Sequence, residues 1–206
     1  MMKIVIIDTS ISNIHSLESA INFLGGNYII SNDSKDLEDA SHIILPGVGS
    51  FDTGMIKINQ LGLDKILKHL VNINKIPFLG ICLGMQLIFQ NSEEGNIKGL
   101  GLLKGEIKKL SISNHKDYKI PNVGFNKIYN HTKNFFFDGI NNDMSFYFTH
   151  SYALYNMNEN ANIAISNHSQ NFISAFQIEN ICGTQFHPEK SQSSGLKILS
   201  NFFKLK

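Results

Sequence analysis

Arginine is missing from this chain: all 18 of its basic residues are lysine. The two-pronged grip of a guanidinium on phosphate or carboxylate is therefore excluded. An anionic substrate must be held by lysine, amide side chains or backbone N–H groups. Cysteine is nearly missing too, with Cys82 and Cys182 far apart in the chain. They form no metal-type pair, and two thiols are too few for a disulfide-stapled extracellular scaffold. Charge of one sign is not in excess: the net is +1, which removes any bulk electrostatic case for nucleic acid or an anionic membrane. No run approaches the ~20 apolar residues of a membrane span. The opening Met-Met-Lys-Ile-Val-Ile-Ile turns acidic at Asp8, too soon for a signal peptide. The sequence reads as soluble and cytoplasmic.

What is present suffices for a core. Hydrophobic residues are 42% of the 206 and charged residues 17%, a globular composition. A chain of this length buries roughly 70% of its unfolded surface without covalent staples. The first half alternates two periodicities. Residues 3–8 are a β-branched run, and Ile14, Leu17, Ile21 and Leu24 then recur at helical spacing until Gly25-Gly26 stops them. Short strands are predicted at 28–30, 42–45 and 77–81. Helical stretches follow the last two of these, one to about residue 71 with a break at Gly62 and one from Cys82 through Gln90. Strands separated by helices imply a parallel sheet covered on both faces. The second half reads mostly as short strands, at 106–110, 123–129, 144–149, 163–166, 172–177 and 181–185, before a helix over 191–203. No linker or repeat divides the chain, so residues 1–206 are expected to form one α/β domain with a mixed central sheet.

The sharpest signal is Pro77-Phe78-Leu79-Gly80-Ile81-Cys82-Leu83-Gly84-Met85-Gln86, where an apolar strand meets a helix at Gly-x-Cys-x-Gly. This is the cysteine version of the nucleophile elbow. A nucleophile at the apex of a tight strand-to-helix turn sits in strained backbone geometry, and the residues two away must be small. The free N–H groups and positive end of the helix face the sulfur and favour the thiolate, the reactive form. The N–H of Leu83 is placed to donate to an oxyanion. Most buried cysteines are only small hydrophobes, and Cys182, inside an apolar strand with no elbow, is read that way.

A thiol nucleophile needs a base, and the base an orienting partner. His187-Pro188-Glu189 supplies both, because residues two apart in an extended stretch point the same way and Pro188 holds the stretch extended. The same letters resemble the His-x-Glu of zinc deaminases, but those need a downstream Cys-x-x-Cys, and no cysteine follows Cys182. The other seven histidines form no close pair at metal-ligand spacing; His150 stands out only for its neighbours.

The third segment is Leu45-Pro46-Gly47-Val48-Gly49-Ser50 after a strand. A Gly-x-Gly turn alone is a weak signal, and this one lacks the Gly-Lys-Ser/Thr ending of a phosphate loop. At the carboxyl end of a neighbouring parallel strand it would face Cys82 across the crevice where α/β folds place their sites. An N–H near Val48 would then complete the oxyanion hole, one such donor being worth ~2.7–4 kcal/mol of barrier.

With these segments together the chain resembles the class I glutamine amidotransferases, whose triad is Cys-His-Glu, and among them the glutaminase subunits of imidazole glycerol phosphate synthases. The resemblance runs nearly end to end. It takes in Asp8 and Asn13, Pro46-Gly47-Val48-Gly49, the elbow from Gly80 to Gln86, Ser92-Glu93-Glu94-Gly95, Tyr147-Phe148-Thr149-His150-Ser151-Tyr152, and Gln185-Phe186-His187-Pro188-Glu189-Lys190-Ser191. It implies a single-domain flavodoxin-like α/β fold with a mixed sheet, and neither cofactor nor metal. It makes Cys82 the nucleophile towards glutamine, His187 the proton shuttle and Glu189 its orienting charge. The backbone of Leu83 and Val48 becomes the oxyanion hole. Gly49, Gln86, Glu94 and the backbone of Ser151 and Tyr152 become the glutamine site. The implied partner is a separate (β/α)8-barrel cyclase that receives the ammonia for a step of histidine synthesis. Asn13, Asn122, Phe125, Asn126 and Lys190 would form the docking face.

One stretch departs. Where the family has Pro-His-x-Gly-Trp-Asn, this chain has Pro121-Asn122-Val123-Gly124-Phe125-Asn126, and it has no tryptophan anywhere. The departure leaves open a paralogue that supplies ammonia for an amidino group on a surface sugar. The elbow alone also fits a γ-glutamyl hydrolase or another amidotransferase subunit. A catalytically silent binding module is the reading outside enzymes, and the complete Cys-His-Glu set argues against it.

Overall fold

The computed structural model describes residues 2–9, 14–112, 118–129, 134–157 and 160–206. The first half runs β1 (Ile4–Ile6), α1 (Ile14–Phe23), β2 (Tyr28–Ile30), α2 (Ser34–Glu38), β3 (His42–Gly47), α3 (Phe51–Gln60), α4 (Leu63–Asn72), β4 (Phe78–Cys82) and α5 (Leu83–Leu87). The second half is β5 (Gly105–Lys109), β6 (Asn122–Lys127), β7 (Ser145–His150), β8 (Tyr152–Met157), β9 (Asn162–His168), β10 (Gln170–Ile178) and β11 (Ile181–Thr184). A 3-10 turn, Pro188–Lys190, and α6 (Gln192–Phe202) close the chain.

The central sheet has the order β2-β1-β3-β4-β11-β10-β8-β5, with β9 also paired to β10. β2, β1, β3, β4 and β11 are parallel, and β10, β8 and β5 continue the sheet antiparallel. The expected mixed sheet is thus present. β1, β3 and β4 are buried throughout, as strands covered on both faces must be. Alternate residues feed two separate cores: Val5, Ile43 and Phe78 one, and Ile4, Ile6, Ile44 and Leu79 the other. No described helix is long and apolar enough to cross a membrane.

Three differences from the sequence expectations have physical causes. β8 was not expected, because one residue, Ser151, separates it from β7 and no turn residue marks the break. The short α2 is started by Asp33, whose carboxylate accepts from the N–H of Lys35 at 2.8 Å. The helix after the elbow ends at Leu87 rather than Gln90. Beyond it the chain runs beside the segment leading to β5, with Leu100 N–H donating to Leu87 C=O and Leu102 N–H to Ile88 C=O at 2.9 Å each.

β6 and β7 form a separate antiparallel ribbon. Alternation along β6 turns Val123 and Phe125 outward and Asn122 inward, where it is only 2% exposed. The ribbon is tied to the rest at Tyr147, whose C=O accepts from the N–H of His187 at 2.9 Å.

Candidate active site

β3 and β4 lie parallel with Gly47 in register with Cys82, so the loop after Gly47 emerges beside the sulfur. Cys82 has φ +54° and ψ −108°, a conformation side chains avoid. Two close approaches hold it there. A Cβ on Gly84 would lie 1.8 Å from the Leu45 carbonyl oxygen, and one on Gly80 would lie 2.6 Å from the Gly84 carbonyl oxygen. Only glycine permits this turn against β3. The elbow geometry expected from Gly-x-Cys-x-Gly is therefore present, although α5 is a turn and a half long. So short a helix contributes little macrodipole at the sulfur.

His187 lies three residues past β11, the strand paired in parallel with β4. Its Nδ1 is 2.7 Å from Glu189 Oε1, with both side chains buried. Its Nε2 has no partner in hydrogen-bond geometry and interacts electrostatically with Cys82. Catalytic hydrogen bonds are often poorly aligned before substrate arrives. Burial alone would lower the pKa of this imidazole. Its interactions with Cys82 and Glu189 outweigh burial and raise it to about 10. The site thus holds a positive imidazolium against the sulfur. Ser191 locks the turn that carries Glu189: its hydroxyl donates to His187 C=O at 2.6 Å and accepts from Tyr147 N–H at 2.9 Å. Gly195 lets α6 pack onto this turn, since a Cβ there would meet the Pro188 carbonyl oxygen at 1.8 Å.

A cavity of about 240 Å³ opens at Cys82. Its walls include Val48, Gly49, Leu83, Gln86, Glu94, Ser151 and Tyr152, so every residue the sequence placed in the oxyanion hole or glutamine site lines one space. Glu94 accepts from the N–H of Phe51 at 2.9 Å. Burial raises its pKa, opposed by that hydrogen bond. Thr149 and His150 also line the cavity. His150 is buried and its pKa is lowered to about 4, mainly by desolvation. It is held between Asn122 Nδ2, 3.0 Å from Nε2, and the Tyr152 carbonyl, 2.9 Å from Nδ1. A second cavity, of about 260 Å³, lies among β8, β9 and β10 and shares no residue with the first.

Of the five docking residues expected, Asn13 lies outside the described residues. Phe125 is exposed and stacks edge-on against Tyr147 at 5.5 Å, and Lys190 Nζ sits 5.9 Å over the same Tyr147 ring. Asn126 donates to Asn122 Oδ1 at 3.0 Å. Asn122 itself faces inward and offers its side chain to His150 rather than to a surface, because strand alternation puts it on the covered side of β6. Gln185 has no role assigned from sequence reasoning, yet it is a fully buried amide whose Nε2 lies 3.8 Å from Cys82 Sγ. Its spacing of two from His187 was the available signal. Among the described residues, no three of His, Cys, Asp and Glu gather as a metal site would need.

The sequence pattern of the family described as glutamine amidotransferase class-I matches residues 5–205. The chain belongs to the class I glutamine amidotransferases. Curated relatives include imidazole glycerol phosphate synthase subunit HisH 2 of Methanococcus maripaludis, 41% identical over 98% of both chains. Subunit HisH 1 of Parasynechococcus marenigrum is 42% identical over 98% of this chain and 97% of its own. That of Aquifex aeolicus is 36% identical over 98% and 96%. This amidotransferase is therefore also a member of the HisH family. Among solved structures, a glutamine amidotransferase with 14% identity superposes over 97% of both chains with a TM-score of 0.74. One from Thermotoga maritima, 18% identical, covers 91% of this chain and 76% of its own at 0.65. At such identities they establish the amidotransferase fold alone.

Proposed function

We propose that this HisH-family chain hydrolyses glutamine at Cys82 and passes the ammonia to a (β/α)8-barrel cyclase subunit of imidazole glycerol phosphate synthase in the cytoplasm. The observation that carries the reading is a strained Cys82 that lines an amino-acid-sized cavity and interacts with His187, itself paired to a buried Glu189. The relatives' names, each a synthase subunit, support a partner.

In this mechanism Cys82 Sγ attacks the side-chain amide carbon of glutamine, and the carbonyl electron pair moves onto oxygen. Leu83 N–H, after the elbow, and Val48 N–H, on the loop beside it, hold that oxyanion. The C–N bond breaks as His187 gives its proton to the nitrogen, so ammonia leaves and a thioester remains. Water then attacks the thioester as His187 takes a proton from it, the C–S bond breaks, and glutamate leaves with the sulfur restored. Glu189 keeps the imidazolium oriented throughout. Glu94 and Gln86 face the amino-acid end of the substrate, with the backbone at Ser151 and Tyr152. No step calls for arginine, of which the chain has none.

The exposed Phe125 and the half-buried Tyr147 it packs on, with Lys190 above that ring, are the docking face in this reading. Phe125 in place of the family's tryptophan favours, as a second reading, a paralogue serving a sugar-modifying barrel. Copurification distinguishes the two by the barrel recovered. The chemistry is tested with a glutamine-like α-diazo ketone: mass spectrometry is expected to find one adduct, on Cys82. Absence of that adduct, or equal labelling of Cys182, defeats the proposal.

A further inference from the structure

One carbonyl in the cavity wall fixes the direction of a whole chain of side-chain amides. Gln86 Nε2 lies 3.0 Å from Tyr152 C=O, and the same nitrogen lies 3.0 Å from Gln185 Oε1. A backbone carbonyl can only accept, so the Gln86 atom facing it must be the NH2. That NH2 needs an acceptor on its other side, which turns Gln185 Oε1 towards it. Gln185 must then present its own NH2 to Cys82 Sγ, 3.8 Å away. Gln86 cannot rotate by half a turn without setting oxygen against oxygen, and Gln185 cannot without setting NH2 against NH2. Both are buried, so water does not substitute for a lost partner.

The outcome matters because of the sulfur's other neighbour. Thr149 C=O lies 3.9 Å from Sγ and, like any carbonyl, offers a thiolate nothing. The Gln185 amide brings an N–H within hydrogen-bond distance of the sulfur, beside the His187 ring, which interacts with Cys82 outside hydrogen-bond geometry. The same lock decides what the substrate meets, because with its NH2 committed to Tyr152 and Gln185, Gln86 is left with its carbonyl as the free group.

Building on the glutaminase reading, we propose that Gln185 is a positioning residue that holds a hydrogen-bond donor on Cys82 Sγ and, through the same amide, keeps the Gln86 carbonyl turned to the substrate's N–H groups. One residue thereby couples the nucleophile's reactivity to the acceptance of glutamine.

The test is Gln185→Met, similar in volume and without the amide, in the chain assembled with its partner. Two readouts separate positioning from bulk structure. Alkylation by iodoacetamide, which does not resemble glutamine, is expected to slow about tenfold at pH 7, with its rate–pH profile displaced about one unit to alkaline, as for loss of a hydrogen bond to a charged group. KM for glutamine is expected to rise about tenfold. An unmoved pH profile and an unmoved KM overturn the inference, as does a uniform fall in rate at every pH. If Gln185→Met does not fold, Gln185→Glu replaces it. A carboxylate facing the sulfur is expected to slow alkylation at pH 8 at least tenfold, and wild-type rates there overturn the inference. The underlying glutaminase reading fails separately, by wild-type chain that does not react with the diazo ketone at Cys82.

Discussion

Glu189 Oε1 sits 2.7 Å from His187 Nδ1 although the two are separated only by a proline. Extended backbone at His187, with φ −92° and ψ 99°, followed by a 3-10 turn, brings the carboxylate back under the ring. The pair is assembled locally and then sealed by β7 and α6.

That pairing makes Glu189→Gln a sharp probe. The amide keeps the shape and removes the charge that helps hold His187 protonated. Turnover of glutamine is expected to fall by roughly 10²–10⁴, in line with loss of the orienting carboxylate in comparable triads. With one of its raising interactions gone, His187 should titrate below about 10. The alkaline limb of the activity–pH profile therefore moves to lower pH. A steady-state assay across pH 6 to 11 checks both.

Cys82→Ala should remove glutamine-dependent synthesis by the assembled enzyme and leave synthesis from free ammonia within about twofold. The substitution takes away the sulfur with one of the least bulky changes available. Parallel assays with glutamine and with ammonium salt measure the two activities, and loss of both would assign Cys82 a structural part.

Stability should fall in acid through His150. Unfolded, this imidazole takes a proton near its ordinary 6.5; folded, burial keeps it neutral down to about 4. The unfolded state therefore binds the extra proton in that window, and stability is present above pH 6.5 and lost as pH falls to 4. The loss is on the order of 3 kcal/mol. Urea denaturation at pH 7, 5.5 and 4.5 should show the decline, and His150→Gln should start lower but slope less.

Gly84→Ala is expected to cost about 3 kcal/mol or more, because its methyl would meet the Leu45 carbonyl oxygen at 1.8 Å and the buried strand β3 cannot give way. Gly25→Ala supplies the comparison. With φ +70° but nothing within 4 Å, it should cost only the ~1–2 kcal/mol of a left-handed residue. Chemical denaturation of the two variants measures the difference.

The parts of the site that are local in sequence were legible in it. Gly80-x-Cys82-x-Gly84 states its own geometry, because only the missing Cβ atoms permit the approach to β3. The pairing of His187 with Glu189 was legible too, although a 3-10 turn beginning at Pro188 makes it and not the extended stretch expected. The buried runs of β1, β3 and β4 announced parallel strands. What escaped depends on partners distant in the chain. β8 follows β7 after one serine, so its existence is decided by pairing with β5 and β10 rather than by any turn signal. Gln185 has an orientation only because Tyr152 turns a carbonyl towards Gln86. Asn122 reads as a docking residue until strand alternation shows which way it faces.

The ribbon of β6 and β7 stands outside the main sheet, yet it is not independent of the chemistry. His187 donates its N–H to the Tyr147 carbonyl, and Tyr147 donates its own to the Ser191 hydroxyl, at 2.9 Å each. Phe125 and Lys190 crowd the ring of that same tyrosine from outside. With the Ser191 hydroxyl donating in turn to the His187 carbonyl at 2.6 Å, three short bonds join the outer edge of the ribbon to the backbone of the proton carrier.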